Sequence, residues 1–239
     1  MKLEEVTDWI DRLLEVGRIH DVSNNGLQID SVRRNVTKVA FSVDASVKAV
    51  EAAAAAGAGL LVVHHGISWG GGIERLTGGV CNVVRAAIRN DIALYAVHLP
   101  LDLNAKCGNN WEIARHLRLV DIVPAFEYHG VVIGLTGVAS ETGRFKIGET
   151  EITLERGEKI GVCSGGAGGY AAEAKALGCT KYLTGEADWG EVIAAENAEA
   201  SMITAGHYET ETFGVKGLMR EMTTALPVAA VFLDRTRNQ

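Results

Sequence analysis

Leu60-Leu61-Val62-Val63-His64-His65-Gly66 is the stretch that decides the fold. Four consecutive apolar residues without polar alternation make a strand buried on both faces, as in a parallel sheet covered by helices. Outward from it the pattern repeats. Strand Val39–Val43 precedes an alanine-rich helix, Val47–Ala56, closed by Gly57; helix Val80–Asn90 follows, then strand Ile92–Val97 and helix Trp111–Leu117. Upstream, Val6, Trp9, Ile10, Leu13 and Leu14 mark one face of a first helix that Gly17 can end.

From Glu127 to Glu158 the chain is richer in strands and turns, with Val131–Val138 and the alternating stretch Phe145–Leu154. The alternation then resumes: strand Ile160–Cys163, helix Tyr170–Leu177, strand Lys181–Thr184, helix Trp189–Asn197, strand Ser201–Thr204, helix Thr212–Met222 and strand Val228–Leu233. The expected class is α/β with mixed, mostly parallel sheets, divided into a first lobe of residues 1–126 and a second of 127–239.

Composition narrows the functions. The net charge is −7, with no basic stripe, so direct nucleic-acid binding is not expected. Cys81, Cys107, Cys163 and Cys179 form no CxxC pair, which fits reduced thiols in an intracellular protein. The acidic, amphipathic N-terminus is not a signal peptide, and the longest apolar runs have strand length. A cytoplasmic protein without a membrane segment is the expectation.

Three strand ends carry the chemistry. His64 and His65 stand where α/β sheets place ligand sites. Adjacent strand residues point to opposite faces, so the pair would splay towards two neighbouring ions; hydrogen-bonded histidines packed under a loop are the alternative. Val97-His98-Leu99-Pro100-Leu101-Asp102 places a carboxylate after the next strand, although Asp102 would also serve as a turn or cap. His98 reads as an outer-sphere donor, a general acid or base, or a pocket-lining residue. In Ala205-Gly206-His207-Tyr208-Glu209-Thr210-Glu211, His207 and Glu211 are four apart at a strand-to-helix junction, and Glu209 fits simple complementarity to a helix N-terminus. Imidazoles with carboxylates suit two divalent ions such as Zn, Fe or Mn, about 3.5–4 Å apart, which would activate water.

With these motifs in order, the sequence resembles the Nif-three-like dinuclear-metal family, the GTP cyclohydrolase 1 type 2 homologues, over nearly the whole chain. The resemblance rests on Asn24-Asn25-Gly26-Leu27-Gln28, His64-His65-Gly66, His98-Leu99-Pro100-Leu101-Asp102, Gly108-Asn109-Asn110, Thr184-Gly185-Glu186, and Ala205-Gly206-His207 with Glu211. It implies His64, His65, Asp102, His207 and Glu211 as ligands of two metal ions. It also implies two α/β/α lobes with the metals in the cleft between them, and a toroidal homohexamer. Many members have proline where this chain has Gly66, and His-Thr-Asn-Leu-Asp where it has His-Leu-Pro-Leu-Asp. Every ligand is spared; loop shape and substrate choice are where the differences bear.

The implied activity is metal-dependent hydrolysis of a nucleotide or related phosphate compound, on the family's name the opening of the guanine ring of GTP with release of formate. His98 is the candidate catalytic proton carrier. The alternatives are a non-catalytic metal-binding or iron-trafficking protein and a ring-shaped regulatory scaffold. Ser164, Gly165 and Gly166, in Cys163-Ser164-Gly165-Gly166-Ala167-Gly168-Gly169, are candidate phosphate contacts, with close backbone packing as the other reading. Asn25 is a candidate substrate contact or an Asx turn. Trp69 sits on a glycine-flanked loop, as a lid, a base-stacking aromatic or a partly buried anchor. Glu186 and Asp188 are candidate outer-sphere acids.

Overall fold

The computed structural model describes residues 1–33 and 35–234. They form two compact units, one of residues 1–101 with the stretch from 215 onward, the other of residues 102–214. This division differs from a cut between 126 and 127, and strand pairing gives the reason. β12 (Ala229–Phe232) runs parallel to β2 (Lys38–Asp44), so the last strand completes the first sheet. β5 (Leu119–Tyr128) pairs instead with β6 (Val131–Ala139) in the second. Residues 235–239 of the expected second lobe lie outside the described residues.

In the first unit the strand order is β1-β4-β3-β2-β12, where β1 is Gly26–Ile29, β3 is Leu60–His65 and β4 is Ala93–Ala96. Only β1 is antiparallel to its neighbour. Leu61, Val63 and Leu94 share a core with Ala49, Val50 and Ala53 of α2 (Val47–Ala55) and Val83, Ala86 and Ala87 of α3 (Gly78–Asn90). Ser46 caps α2 by accepting from the Ala49 N–H at 3.1 Å. Strand alternation turns Tyr95 to the other face. There its hydroxyl donates to Asp11 Oδ1 at 2.5 Å from α1 (Leu3–Leu14). α1 ends not at Gly17 but on Glu15, whose φ of 51° takes the left-handed position that ends the helix. The apolar face is already complete at Leu14, so the chain turns there.

In the second unit the order is β11-β10-β9-β6-β5, with β9 (Lys159–Gly166), β10 (Lys181–Glu186) and β11 (Met202–Thr204) parallel and the other two antiparallel. One face buries Ile113 and Ala114 of α5 (Asn109–His116) with Ile160 and Val162. In another cluster, Ala171 and Ala174 of α6 (Ala171–Ala176) and Ala195 of α7 (Trp189–Asn197) pack with Phe126 and Tyr182. The expected Phe145–Leu154 stretch is a hairpin, β7 (Gly143–Ile147) and β8 (Thr150–Leu154), because Gly148 turns at φ +57°. The α/β class with mixed sheets stands. Unit boundaries fall within α4 (Leu99–Leu103) and α8 (His207–Ala225). Among the described residues no helix is long and apolar enough to cross a membrane.

Candidate metal centre

His64 and His65 are the last two residues of β3, and their ring centroids are 4.7 Å apart. Each ring is held by its own acceptor. His64, fully buried, has Nδ1 3.0 Å from the Val97 carbonyl oxygen. His65 has Nδ1 2.9 Å from Oδ1 of Asp44, its register partner at the end of β2. His98, just beyond β4, has Nδ1 2.9 Å from Asp21 Oδ1, and its ring lies 5.0 Å from that of His64. A carbonyl or carboxylate oxygen only accepts, so Nδ1 donates in each case and a neutral ring carries its lone pair on Nε2. Holding one ring nitrogen this way is how proteins orient metal-binding histidines. Ligand atoms of His64, His65 and His98 lie within 4.8 Å of one another.

Asp21 carries no motif in the sequence, yet it organises this cluster. Its side chain is 1% exposed. Oδ1 also accepts from the Ser23 N–H, and Oδ2 accepts from the Leu99 N–H and the Asn25 amide. Burial pushes its pKa up, but the bond and charge of His98 and the amide donors outweigh it and bring it to about 2. Asn25 returns the arrangement by accepting from the His98 N–H at 2.8 Å. Its polar groups therefore brace the His98 turn.

In the second unit, Asp102 lies on α4 with Oδ1 receiving hydrogen bonds from Asn109 Nδ2 at 2.8 Å and Ser164 Oγ at 3.1 Å. Asn109 is fully buried and accepts from the Gly214 N–H; Asn110 links the Ser164 N–H to the Ile133 carbonyl. His207 opens α8, a turn earlier than the expected start at Thr212, because Gly206 at φ +91° lets the chain leave β11 sharply. That puts Glu211 one helical turn on, with Oε1 3.0 Å from His207 Nε2, while Glu186 Oε1 lies 2.9 Å from Nδ1. The hydrogen bond to Glu211 raises the His207 pKa, and with both carboxylate charges it outweighs burial and brings it to about 9. A proton and a divalent cation would compete for Nε2, so cation binding there would release a proton.

The glycine-rich segment makes room for these acids. A Cβ on Gly165 would stand 2.5 Å from Glu211 Oε1, and one on Gly166 3.5 Å from Glu186 Oε1. The Ser164 and Gly165 amides donate to Asn110 Oδ1 and Thr210 Oγ1, and that of Gly169 to Glu191 Oε1, so the chain's own side chains occupy these donors. Asp188 instead caps α7, accepting from Glu191 N–H at 2.8 Å in a reciprocal capping box. Glu186, beside it, is the acid that positions a histidine.

Imidazole nitrogens and carboxylate oxygens fit a first-row divalent ion, and the acceptors behind Nδ1 favour the ligating tautomer. The fold and these groups define the class, a mixed α/β protein with candidate metal-binding clusters. The chain belongs to the Duf34/NIF3 (NGG1p interacting factor 3) family, whose profile matches residues 1–239. It is 38% identical to a GTP cyclohydrolase 1 type 2 homolog of Archaeoglobus fulgidus, over 100% of both chains. It is 36% identical to one of Pyrococcus horikoshii, over 98% of each. Among solved structures, ybgI, a protein of unknown function, matches with TM-score 0.84 at 25% identity over 98% of both chains. TTHA1606 of Thermus thermophilus matches with TM-score 0.76 at 28% identity, again over 98% of both.

Proposed function

We propose that this chain is a dinuclear metal-dependent hydrolase acting on a nucleotide or related phosphate compound, with His64, His65, Asp102, His207 and Glu211 as ligands. The observation that carries the reading is the shared orientation of the histidines. His64, His65 and His207 each set Nδ1 against an oxygen acceptor, which makes Nε2 the ligating atom, and at His207 that nitrogen lies against Glu211, the second proposed ligand of its helix turn. Bound divalent ions would supply Lewis acidity that activates water and offsets developing negative charge. Asp102 keeps Oδ1 on Asn109 and Ser164, which fixes the direction of its other oxygen. His98, oriented by Asp21, would take and return a proton at Nε2. The relatives' name makes GTP the first substrate to try.

The test is incubation of metal-loaded protein with GTP and other nucleotides. Metal-dependent product formation that His65→Ala abolishes supports the reading. No metal-dependent turnover overturns it, and loosely held iron passing to an acceptor instead would favour a metal-trafficking role. A homohexamer is part of the same proposal, tested by light scattering for six chain masses.

A further inference from the structure

We infer that Trp69 is a stacking platform for a nucleobase ring, held ready beside the histidine cluster by Gly66. The choice of a nucleobase rests on the nucleotide reading above. The existence of the platform rests on the structure of residues 22–28 and 66–72.

A tryptophan left 38% exposed keeps apolar surface in water unless something covers it. This one is not loosely placed. Its indole N–H donates to the Gly66 carbonyl at 3.1 Å, so the ring's polar group is used within the loop and what it offers a ligand is π surface. Its ring makes a T-shaped pair with that of His98, with centroids 5.1 Å apart and planes at 74°, and lies 6.0 Å from that of His65.

The backbone is tied on both sides. Trp69 bridges to Ser23, the Asn24 N–H donates to Ser68 O, and the Gly70 N–H donates to Val22 O at 2.7 Å. Gln28 accepts from the Ile67 N–H at 2.7 Å, and Asn24 Nδ2 donates to Ser68 Oγ at 2.8 Å. This loop is therefore a fixed shelf rather than a flexible lid, and a ligand meeting it orders little on binding.

Gly66 makes the approach possible. A Cβ there would fall 2.3 Å from Gln28 Oε1 and 2.5 Å from Ala96 Cβ, so any side chain would push the loop, and with it the indole's acceptor, off the sheet. Next to Trp69 in the chain, a Cβ built on Gly70 or Gly71 would meet nothing within 4 Å, so the loop itself is uncrowded there. A rigid, exposed indole beside the rings of a candidate ligand and a candidate proton carrier suits a planar base better than a sugar or a flexible chain.

Calorimetry on the metal-loaded chain tests this with guanosine 5′-monophosphate and, as a probe without a base, ribose 5-phosphate. Trp69→Ala should weaken the nucleotide about tenfold or more and Trp69→Phe no more than about threefold, because stacking needs an aromatic face. Ribose 5-phosphate should bind all forms alike. Trp69→Leu, which fills space without an aromatic face, should behave as Trp69→Ala and carries the comparison if the alanine variant loses metal. Wild-type nucleotide affinity in Trp69→Leu overturns the inference, as does an equal loss for ribose 5-phosphate. Absence of nucleotide binding by the wild type overturns both this and the substrate class, with metal content still reporting the centre. Trp69-dependent binding without turnover leaves the platform standing and removes the hydrolase.

Discussion

Oδ1 of Asp21, a carboxylate almost sealed from solvent, lies 2.9 Å from Nδ1 of His98, and the two are 77 residues apart in the chain. The bond joins the segment before β1 to the turn after β4. It gives the histidine one tautomer and the carboxylate a compensating partner.

Acid stability should report this pair. The folded pKa of Asp21, about 2, lies below its ordinary value of 3.8. A depressed carboxylate adds stability above the unfolded pKa and loses it as pH falls through the folded one. Its contribution, about 2 kcal/mol, should thus be full above pH ~4 and vanish towards pH ~2. Asp21→Asn should be less stable at pH 7 and lose that part of the slope in urea titrations from pH 5 to 2. An unchanged slope would contradict the assignment.

Tyr95 and Asp11 make a separate anchor between β4 and α1. Tyr95→Phe keeps the ring but leaves the carboxylate without its donor, and should cost about 1–3 kcal/mol in chemical denaturation. Metal uptake should remain as in the wild type, since the hydroxyl faces α1. Loss of metal with unchanged stability would be the opposite of what the contact predicts.

If Asp102 is a ligand as proposed, Asn109 would act on metal through it. Asn109→Ala removes the 2.8 Å donor to Oδ1 and the acceptor of the Gly214 N–H, and should weaken metal affinity about 10–100-fold against a competing chelator. Ser164→Ala, which removes the longer 3.1 Å bond, should have the smaller effect. The reverse order would show that Asp102 is not oriented this way.

Gly165→Ala tests the space left for Glu211. With φ at +69° and a Cβ only 2.5 Å from Oε1, it should lower both stability and metal affinity. Gly17→Ala, where a Cβ meets nothing within 4 Å, is the matched control and should change neither. Equal behaviour of the two would refute the packing argument.

What could be read from sequence follows from how local each signal is. β3 and its terminal histidines were legible because an unbroken apolar run and the turn after it lie within seven residues. The Trp189–Asn197 helix matches its expected bounds to the residue, while the capping role of Asp188, read from sequence as an outer-sphere acid, shows only in the bonds it exchanges with Glu191. Asp21 and Asp44 were not legible. They reach His98 and His65 across strands, in segments whose local pattern shows only turn or strand residues. β5 was missed because its outward positions, Val120 and Val123 among them, are apolar and blur the alternation of a half-buried strand. The compact units divide elsewhere than between 126 and 127 for a related reason: pairing of β12 with β2 joins distant parts of the chain and leaves no trace in composition.

The most direct measurement is elemental analysis of protein stripped with chelator, reloaded with a single divalent metal and freed of excess. About two ions per chain are expected in the wild type, with clear loss in His65→Ala and in Glu211→Gln. Wild-type stoichiometry in both variants, or less than half an ion per wild-type chain with every metal tried, would contradict the proposed centre.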